Sequence, residues 1–312
     1  MTEPAKDTPD WVAADWGSSH LRLWLMAGPA RVLARIDSDA GMAGLARDEY
    51  EPTLIGLLGD ALPQGRALPV IVCGMAGSRQ GWAEAPYAKA PCAPPSLSRA
   101  TRVATAEPRL SVHILPGIRQ DSPADVMRGE ETQIAGLLAA RPEFDGIACL
   151  PGTHTKWARI SAGEVVSFRT FMTGELFDLL STRSVLRHSV AGTGWDAPAF
   201  DAAVSDALSR PADIAARLFA LRAEALLQDL APQVARARLS GLLIGIELAA
   251  ARPYWLGQQV VVLGADAIAG AYGAALRAQG VPAETADAEA LTLAGLAAAH
   301  THLRKVQPWP AN

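Results

Sequence analysis

The sequence predicts an α/β protein built from two related domains. Short apolar runs that indicate buried strands alternate with longer stretches of helical periodicity. A strand–turn–strand pattern at residues 11–26 recurs at residues 147–160. A chain of 312 residues is long for one hydrophobic core and has the length of two domains. We therefore predict domains at residues 1–140 and 141–312, and the last helix, 291–303, could pack back on the first of them.

Composition limits the class of protein and its location. Half of the residues are hydrophobic and 19% are charged, as in soluble globular proteins. The net charge of −4, without a long basic run, argues against a nucleic-acid partner. The three cysteines lack metal-binding spacing, residues 1–10 lack an apolar signal core, and the most apolar helix, 239–251, is too short to span a bilayer. We expect a cytoplasmic protein with no membrane partner, either a monomer or a homodimer.

The first repeated unit contains an acid and a turn of small residues. Residues 11–14 indicate a buried strand that ends at Asp15, and the chain alternates again after the turn, from Leu21 to Leu25. Backbone amides and hydroxyls in such a turn can bind phosphate oxygens, while the acid holds a hydrated Mg²⁺. An ordinary surface hairpin is the alternative. The predicted phosphate-binding residues are Gly17, Ser18 and Ser19.

The remaining elements of the first half follow from periodicity and from turn residues. They are predicted to be a strand at 31–35, a helix at 50–62, a buried strand at 69–73, an irregular proline-rich segment at 86–95, a strand at 112–115 and a helix approached by residues 125–131. Two adjacent acids, Glu130 and Glu131, lie in the first turn of that last helix. One of them could accept the proton of a hydroxyl group during phosphoryl transfer. The alternative is that both only complement the helix dipole.

The second repeated unit has a hydroxyl-rich turn. Residues 147–150 and 156–160 indicate strands on either side of it. The chain contains no Gly-Lys dipeptide, which excludes a Walker A loop. Lys156 could reach a phosphate or could be an ordinary solvated lysine, and His154 fits a turn residue better than a catalyst. The predicted phosphate-binding residues here are Gly152, Thr153, His154, Thr155 and Lys156.

The second half is predicted to be mostly helical. A strand at 165–170 leads to a helix capped by Thr173, and further helices follow at 201–209, 213–230 and 239–251. A buried strand at 260–263 then ends at Gly264 and Ala265, before another helix. Such a turn suits the base and ribose of a nucleotide lying against a helix start, although many α/β proteins have it for structural reasons alone.

Several segments together resemble the 2-dehydro-3-deoxygalactonokinase family, in order and across nearly the whole chain. They are DWGSSHLRLWL, CGMAGSRQGWAEAPY, VMRGEETQIAG, LPGTHTKW, FRTFMTGEL and SGLLIGIE. The resemblance implies two actin-like ATPase (ribonuclease H-like) domains flanking a nucleotide cleft. It also implies ATP-dependent phosphorylation of the 6-hydroxyl of 2-dehydro-3-deoxy-D-galactonate in galactonate catabolism, with Mg²⁺ as the metal.

The resemblance also implies roles for individual residues. Asp15 is expected to anchor the metal through water, Glu130 is the first choice as base and Glu131 the second, and Gly264 with Ala265 resembles the adenosine motif. Planar guanidinium groups suit a substrate carboxylate, although surface ion pairs are the alternative for both arginines considered. The residues expected to bind the sugar acid are Gly77, Ser78, Arg128, Arg169 and Glu175.

Three other functions compete with this hypothesis. An actin-like nucleotide switch would bind a partner protein and hydrolyse ATP slowly, whatever sugar acid is present. A dinucleotide oxidoreductase would use the turn at Gly264, which lacks the G-x-G-x-x-G pattern. A kinase for another sugar acid would have the same motifs, because specificity depends on side-chain details that the sequence does not place.

Overall fold

The computed structural model describes residues 8–94 and 99–306, which form two compact units. The first unit consists of the described residues of Met1–Phe144, Ala162–Val166 and Ala288–Asn312, and the second of Asp145–Ser161 and Ser167–Asp287. The chain therefore leaves the first unit after Phe144, later than the predicted limit at residue 140. The last helix belongs to the first unit.

The described residues contain fourteen strands in chain order. They are β1 (Trp11–Trp16), β2 (Leu21–Ala27), β3 (Arg31–Ser38), β4 (Leu68–Gly74), β5 (Ala88–Lys89), β6 (Thr101–Arg102), β7 (Leu110–Ile114), β8 (Ile118–Asp121), β9 (Ala124–Met127), β10 (Gly146–Leu150), β11 (Thr155–Ser161), β12 (Glu164–Phe171), β13 (Val260–Gly264) and β14 (Glu284–Asp287).

Nine α-helices accompany these strands in the same part of the chain. They are α1 (Tyr50–Leu58), α2 (Glu130–Ala140), α3 (Thr173–Thr182), α4 (Ala197–Ser209), α5 (Ile214–Leu227), α6 (Pro232–Ala250), α7 (Arg252–Trp255), α8 (Asp266–Ala278) and α9 (Ala288–Val306). None of the helices in residues 8–94 and 99–306 is long and apolar enough to cross a membrane.

The two larger sheets share one topology. The first has the strand order β3-β2-β1-β4-β7-β6, and the second has the order β12-β11-β10-β13-β14. In each sheet the first strand in sequence pairs antiparallel with the next and parallel with the first strand that follows a helix. A further parallel strand then extends each sheet. This repeat confirms the predicted fold of two related α/β domains of the actin-like, ribonuclease H-like type.

Both faces of the first sheet are covered, which excludes a surface hairpin. Leu21 and Leu23 of β2 pack in the core cluster beneath α1. On the opposite face, Trp24 and Met26 pack with Leu296 of α9. Because both faces of β2 are covered, its large apolar side chains are buried on both sides of the sheet. Each of them stabilises the folded state by about 1.5–3 kcal/mol. The end of β1 is therefore held on a rigid scaffold.

Three local predictions are wrong. The segment 86–95 is not wholly irregular, because Ala88–Lys89 forms β5 and joins β8 and β9 in a small third sheet (Pro95 lies outside the described residues). Residues 124–127 form β9 rather than leading directly into a helix. Thr173 is not a cap, since Met172 takes that position and the Thr173 hydroxyl donates to a buried glutamate.

Candidate active site

Asp15 lies near the end of β1, where it pairs with one residue on each neighbouring strand. Its partners in the sheet are Arg22 on β2 and Cys73 on β4. Nη1 of Arg22 donates to Oδ2 of Asp15 at 3.0 Å, and the Cys73 sulfur lies 3.8 Å from Oδ1. Burial raises the pKa of Asp15, and the charge of Arg22 acts in the opposite direction. The strand register thus sets a single carboxylate beside a single cation.

The first predicted phosphate turn is held by backbone hydrogen bonds. The Gly17 N–H donates to the carbonyl of His20 at 2.9 Å, which closes the turn. The carbonyls of Gly17 and Ser18 accept hydrogen bonds of 3.0 and 2.9 Å from the backbone N–H groups of residues 42–43. Both serines of the turn are exposed. The Gly-Met-Ala-Gly segment that begins at residue 41, which the sequence marks only as a break in periodicity, therefore supports this turn.

Two glycines bring the end of β4 and the start of α2 next to Asp15. Gly74 has a φ of +90°, and a Cβ placed on it would lie 3.5 Å from Oδ1 of Asp15. Gly129 has a φ of +109° and directly precedes α2, and a Cβ placed there would lie 3.5 Å from the Cα of Gly74. Glycine is the residue that adopts such backbone without strain. Glu130, the first residue of α2, is near enough for its charge to raise the pKa of Asp15 further.

The two predicted base candidates have different environments. Glu131 is 1% exposed, and its carboxylate accepts hydrogen bonds from the Gly129 N–H at 2.7 Å and the Thr132 hydroxyl at 3.2 Å. Burial, followed by the neighbouring charge of Glu130, raises the pKa of Glu131 to about 8. Glu130 is only half-buried and accepts from the Arg128 N–H at 3.0 Å. Of the two, Glu130 has the carboxylate that solvent and ligands can reach.

Arg128 has guanidinium donors without partners in the described part of the chain. Its Nη2 donates to the Ala85 carbonyl at 2.8 Å, and its guanidinium lies 4.3 Å from the centre of the Tyr87 ring. Its Nε and Nη1 are buried and make no hydrogen bond to any described residue. The Ser78 hydroxyl is also buried and also makes no hydrogen bond to a described residue. A Cβ placed on Gly77 would lie 2.7 Å from Nη1. Buried polar groups without a hydrogen-bond partner are rare in folded proteins, and these donors are therefore available to a ligand or a water.

The second predicted phosphate turn is supported by the start of α3. The Glu175 N–H donates to the Thr153 carbonyl at 2.9 Å, and Nε2 of His154 lies 2.6 Å from Oε2 of Glu175. A Cβ placed on Gly174 would lie 2.2 Å from the carbonyl oxygen of Gly152. Glu175 therefore contacts this turn, and Gly174 allows the helix to approach it closely.

The two last residues of the second predicted turn are buried. Thr155 is fully buried, and its hydroxyl lies 3.0 Å from the hydroxyl of Tyr272. Lys156 is 5% exposed, and its Nζ donates to the His154 carbonyl at 3.1 Å. The structure thus brings all five predicted residues of this turn together, but only residues 152–154 are accessible.

A buried carboxylate in the second unit was missed by sequence reasoning. Glu247 of α6 accepts a 2.7 Å hydrogen bond from the indole of Trp157 and a 2.8 Å bond from the hydroxyl of Tyr272. The Thr173 hydroxyl donates to the same group. Burial raises the pKa of Glu247 to about 7, and these hydrogen bonds lower it. A lone glutamate in the apolar second half of α6, with leucines and isoleucines around it, was the available signal.

A cavity of about 690 Å³ lies beside the first turns of α8. It is lined mainly by apolar side chains, among them Phe177, Phe200 and Ile268. Gly264 ends β13 and Ala265 precedes α8 with extended backbone. These two predicted adenosine-binding residues do not line the cavity themselves, but the residues that follow them in α8 do.

The fifth predicted substrate-binding residue, Arg169, contacts a different place in the second unit. It is exposed, and its Nη1 lies 3.4 Å from the Ala250 carbonyl at the end of α6. Its guanidinium lies 5.2 Å from the centre of the Phe171 ring. These contacts are structural, and its role in substrate binding stays a prediction.

The donor set around Asp15 fits a magnesium ion held partly by a ligand's phosphates. In residues 8–94 and 99–306, no group of three or more His, Cys, Asp or Glu side chains could hold a metal by itself. Mg²⁺ in phosphoryl-transfer enzymes is commonly held by one or two carboxylates, substrate phosphates and waters. Asp15 with the nearby Glu130 is a set of that kind.

Comparison with known proteins identifies the family. The chain matches the family model described as 2-keto-3-deoxy-galactonokinase over residues 15–299. It is 41% identical to DgoK1 of Rhizobium meliloti (strain 1021), named as a probable 2-dehydro-3-deoxygalactonokinase, over 93% of this chain and 96% of that protein. It is 36% identical to the 2-dehydro-3-deoxygalactonokinase of Escherichia coli (strain K12), over 82% and 85% of the two chains.

A solved structure supports the same relationship. A crystal structure from Sinorhizobium meliloti, which bears this enzyme name as a provisional assignment, has a TM-score of 0.88 and 39% identity to the chain. The match covers 96% of this chain and 100% of the other. Sequence and fold therefore agree over nearly the full length, and the chain belongs to the 2-keto-3-deoxy-galactonokinase family.

Proposed function

We propose that this chain transfers the γ-phosphoryl group of ATP to the 6-hydroxyl of 2-dehydro-3-deoxy-D-galactonate, giving 2-dehydro-3-deoxy-6-phosphogalactonate. The family and its curated relatives have this activity in their names, so the chain is an enzyme of the sugar-acid kinase class. One observation supports the placing of the reaction in the first unit. Asp15, Glu130 and the unpartnered donors of Arg128 lie on segments that three glycines, Gly74, Gly77 and Gly129, allow to approach one another closely.

Asp15 is the proposed metal-binding residue. It would hold Mg²⁺ through water, with Glu130 as the nearby second carboxylate. When bound, Mg²⁺ neutralises charge on the phosphoryl oxygens during transfer. The ion pair with Arg22 at 3.0 Å orients the Asp15 carboxylate, because the other contact described for it, with the Cys73 sulfur, is a weak one. Burial of Asp15 makes an unpaired negative charge costly there, which favours the binding of a cation.

Glu130 is the proposed general base. It lies at the amino terminus of α2, half-buried, and its carboxylate can be reached by a substrate hydroxyl. Glu131 faces the protein interior and holds the Gly129 N–H, so it supports the loop that precedes the helix. A raised pKa keeps Glu131 protonated near neutral pH, where a group in that state cannot accept a proton.

Arg128 is the proposed ligand of the sugar-acid carboxylate. Its Nη2 and its ring contact with Tyr87 fix the plane of the guanidinium, while Nε and Nη1 remain to donate. Nε and Nη1 lie on different edges of the guanidinium, so each can donate a separate charge-assisted hydrogen bond, one of them to the substrate carboxylate. Gly77 leaves the space beside Nη1, and the Ser78 hydroxyl is a further donor for the same substrate.

Each unit has its own proposed nucleotide-binding residues. In the first unit, exposed backbone and hydroxyl groups of residues 17–19 suit phosphate oxygens, and in the second unit those of residues 152–154 do so. The apolar cavity beside α8 is large enough for an adenine ring, and Gly264 with Ala265 sets the start of that helix. Three free and buried cysteines suit a reducing compartment, and we propose a cytoplasmic enzyme that is a monomer or a homodimer.

A coupled assay of ADP release tests this function. The purified chain is given MgATP and each of a panel of 2-keto-3-deoxy sugar acids, with a reaction lacking any acid as the control. We expect release to depend on the acid and to be fastest with 2-dehydro-3-deoxy-D-galactonate. Preference for another acid would change the substrate but not the reaction. ADP release at the same rate with and without every acid would contradict the proposed kinase activity and favour a nucleotide switch.

A further inference from the structure

Glu247 lies at the centre of a buried polar cluster in the second unit. Its Oε1 accepts from the Trp157 indole at 2.7 Å, and its Oε2 accepts from the hydroxyls of Tyr272, at 2.8 Å, and Thr173. The Tyr272 hydroxyl also lies 3.0 Å from the hydroxyl of Thr155. All five side chains are buried, so the hydrogen bonds are shielded from water.

Each partner of this carboxylate comes from an element that shapes the second phosphate turn. Thr155 and Trp157 belong to the start of β11, directly after the turn. Thr173 is the first residue of α3, and the next residue, Gly174, packs against the carbonyl of Gly152. Tyr272 belongs to α8 and lines the apolar cavity. One carboxylate thus joins both supports of the turn to the cavity wall.

Stability alone does not account for a carboxylate at this position. Removing a carboxylate from water costs several kcal/mol, and well-packed apolar side chains often replace buried charged groups without loss of stability. The pKa of about 7 reflects that cost. The donors recover part of it only in one arrangement of β11, α3 and α8, because each hydrogen bond depends on distance and direction.

We propose that Glu247 is a positioning residue for nucleotide binding, which fixes the turn at residues 152–154 relative to the wall of the cavity. This inference rests on the proposed function, in which that turn binds phosphate and the cavity binds the adenosine. Glu247 itself touches no ligand, since it is 2% exposed and every contact described above is to another side chain. Its influence reaches the turn through Thr155, Trp157 and Thr173.

Thr155→Val is the decisive test, because this hydroxyl is fully buried and cannot touch ATP. The substitution keeps the shape of the side chain and removes the hydroxyl that bonds Tyr272 and that also hydrogen-bonds Glu247, lowering its pKa. Ser161→Ala is the matched control, since it removes a hydroxyl from the opposite end of the same strand, where Ser161 bonds Asp145. ADP affinity is measured by calorimetry without any sugar acid, and KM is then measured for ATP and for the acid.

We expect Thr155→Val to weaken ADP binding and raise the KM for ATP about 5- to 10-fold, as the loss of one buried, hydrogen-bonded hydroxyl implies. The KM of Thr155→Val for the sugar acid should be unchanged. The Ser161→Ala control should bind ADP with the affinity of the wild type. Equal ADP affinity in Thr155→Val and the wild type would overturn the inference. Failure of the kinase assay would instead show as wild-type ADP binding without phosphorylation of any acid.

Variants of Glu247 itself give a second, independent measurement. In Glu247→Gln the amide oxygen can still accept a hydrogen bond from Trp157. The amide nitrogen can donate to the hydroxyls of Tyr272 and Thr173, which then act as acceptors and no longer as donors. We expect this variant to bind ADP within about 3-fold of the wild type, and Glu247→Ala to bind at least 10-fold more weakly. If Glu247→Ala does not fold, the Thr155→Val result decides, and equal ADP binding by a folded Glu247→Ala would contradict the inference.

Discussion

The two hairpins that begin the two large sheets have the same topology, but they differ in the residue pair that lies near the turn. In the first, the strand end pairs Asp15 with Arg22, and in the second it pairs Leu150 with Lys156. The acid of the first copy thus has no equivalent in the second, where the strand end is apolar and only a cation follows. The repeated scaffold therefore presents a carboxylate and a cation beside one turn, and exposed Thr153 and His154 next to a buried lysine at the other.

The buried glutamates extend this contrast. Glu131 in the first unit is held by one backbone N–H and one hydroxyl and lies beside a second acid, Glu130. Glu247 in the second unit is surrounded by donors from three elements. Adjacent carboxylates with few donors keep free lone pairs for a metal or a proton, whereas the donors around Glu247 bind it to the elements that surround it.

The largest expected effect comes from removing the negative charge at the end of β1, which the end of β10 lacks. Asp15→Asn keeps the size of the side chain and removes the charge that would hold the metal. We expect turnover to fall roughly 10³-fold or more, with an unchanged melting temperature. Asp37→Asn, on β3 of the same sheet, is the control, because Asp37 forms an exposed ion pair with Arg35. Near-normal turnover of Asp15→Asn would reject the metal role.

The division of labour between the adjacent glutamates of α2 is the next test. Glu130→Gln should lower kcat roughly 10²-fold or more, because a general base contributes about that much to proton transfer. Glu131→Gln should lower kcat far less, since its carboxyl is buried and hydrogen-bonded to the backbone. Steady-state kinetics of both variants give the answer. A large loss of kcat in Glu131→Gln alone would move the base by one residue.

The unpartnered donors of Arg128 give a test of substrate recognition. Arg128→Lys keeps the charge but loses the planar guanidinium and both of its unpaired donors, and we expect the KM for the sugar acid to rise roughly 10- to 100-fold. The KM for ATP should change little. An analogue with an amide in place of the carboxylate is the matched comparison, because the wild type should discriminate strongly against it and the variant weakly. Equal discrimination by both proteins would contradict this role.

The close approach of α3 to the second turn predicts a smaller effect. Gly174→Ala would place a Cβ 2.2 Å from the Gly152 carbonyl oxygen, so the turn or the helix must shift. We expect about a 10-fold rise in the KM for ATP and a loss of roughly 1–3 kcal/mol of stability. Gly56→Ala is the control, because no atom lies within 4 Å of that Cβ in α1 and alanine is the better helix former.

Sequence reasoning predicts the parts of this protein that periodicity and turn residues determine locally. The apolar runs of β1, β4, β10 and β13 and the small residues after them identify the strands and their turns. Short strands such as β5, β6 and β14 are missed because two to four residues contain too little periodicity, and pairing with distant strands creates them. The third sheet is therefore visible only in the structure.

The site is predictable to the same degree. Asp15, Glu130 and Arg128 stand out in the sequence, since acids and an arginine beside glycines are chemically unusual there. The role of Gly74 is not predictable, because its backbone approaches Asp15 only when β1 and β4 lie side by side. Glu247 is missed for a related reason, because its donors are 74 to 90 residues away, or 25 in the opposite direction.

The smallest expected effect comes from the titration of Glu247. Burial raises its pKa from 4.5 to about 7, so between these values the native state keeps a proton that the unfolded state releases. The free energy of unfolding should therefore fall as pH rises through this window, by at most about 1.4 kcal/mol per pH unit from this group. The Cys149 thiol and the Tyr272 phenol beside it have pKa values raised well above their ordinary values, so they stay neutral there.

Urea denaturation at several pH values between 4.5 and 8 measures this dependence. Glu247→Gln lacks the titrating group, so its stability relative to the wild type should rise from pH 4.5 to about 7 and then level off. Glu224→Gln is the control, because an ion pair with Arg238 lowers the pKa of Glu224, so the pH dependence that Glu224 adds has the opposite sign and is confined to the lower end of the window. A constant difference between Glu247→Gln and the wild type would mean that the donors around Glu247 keep it ionised throughout, and the carboxylate would then position the turn at every pH tested.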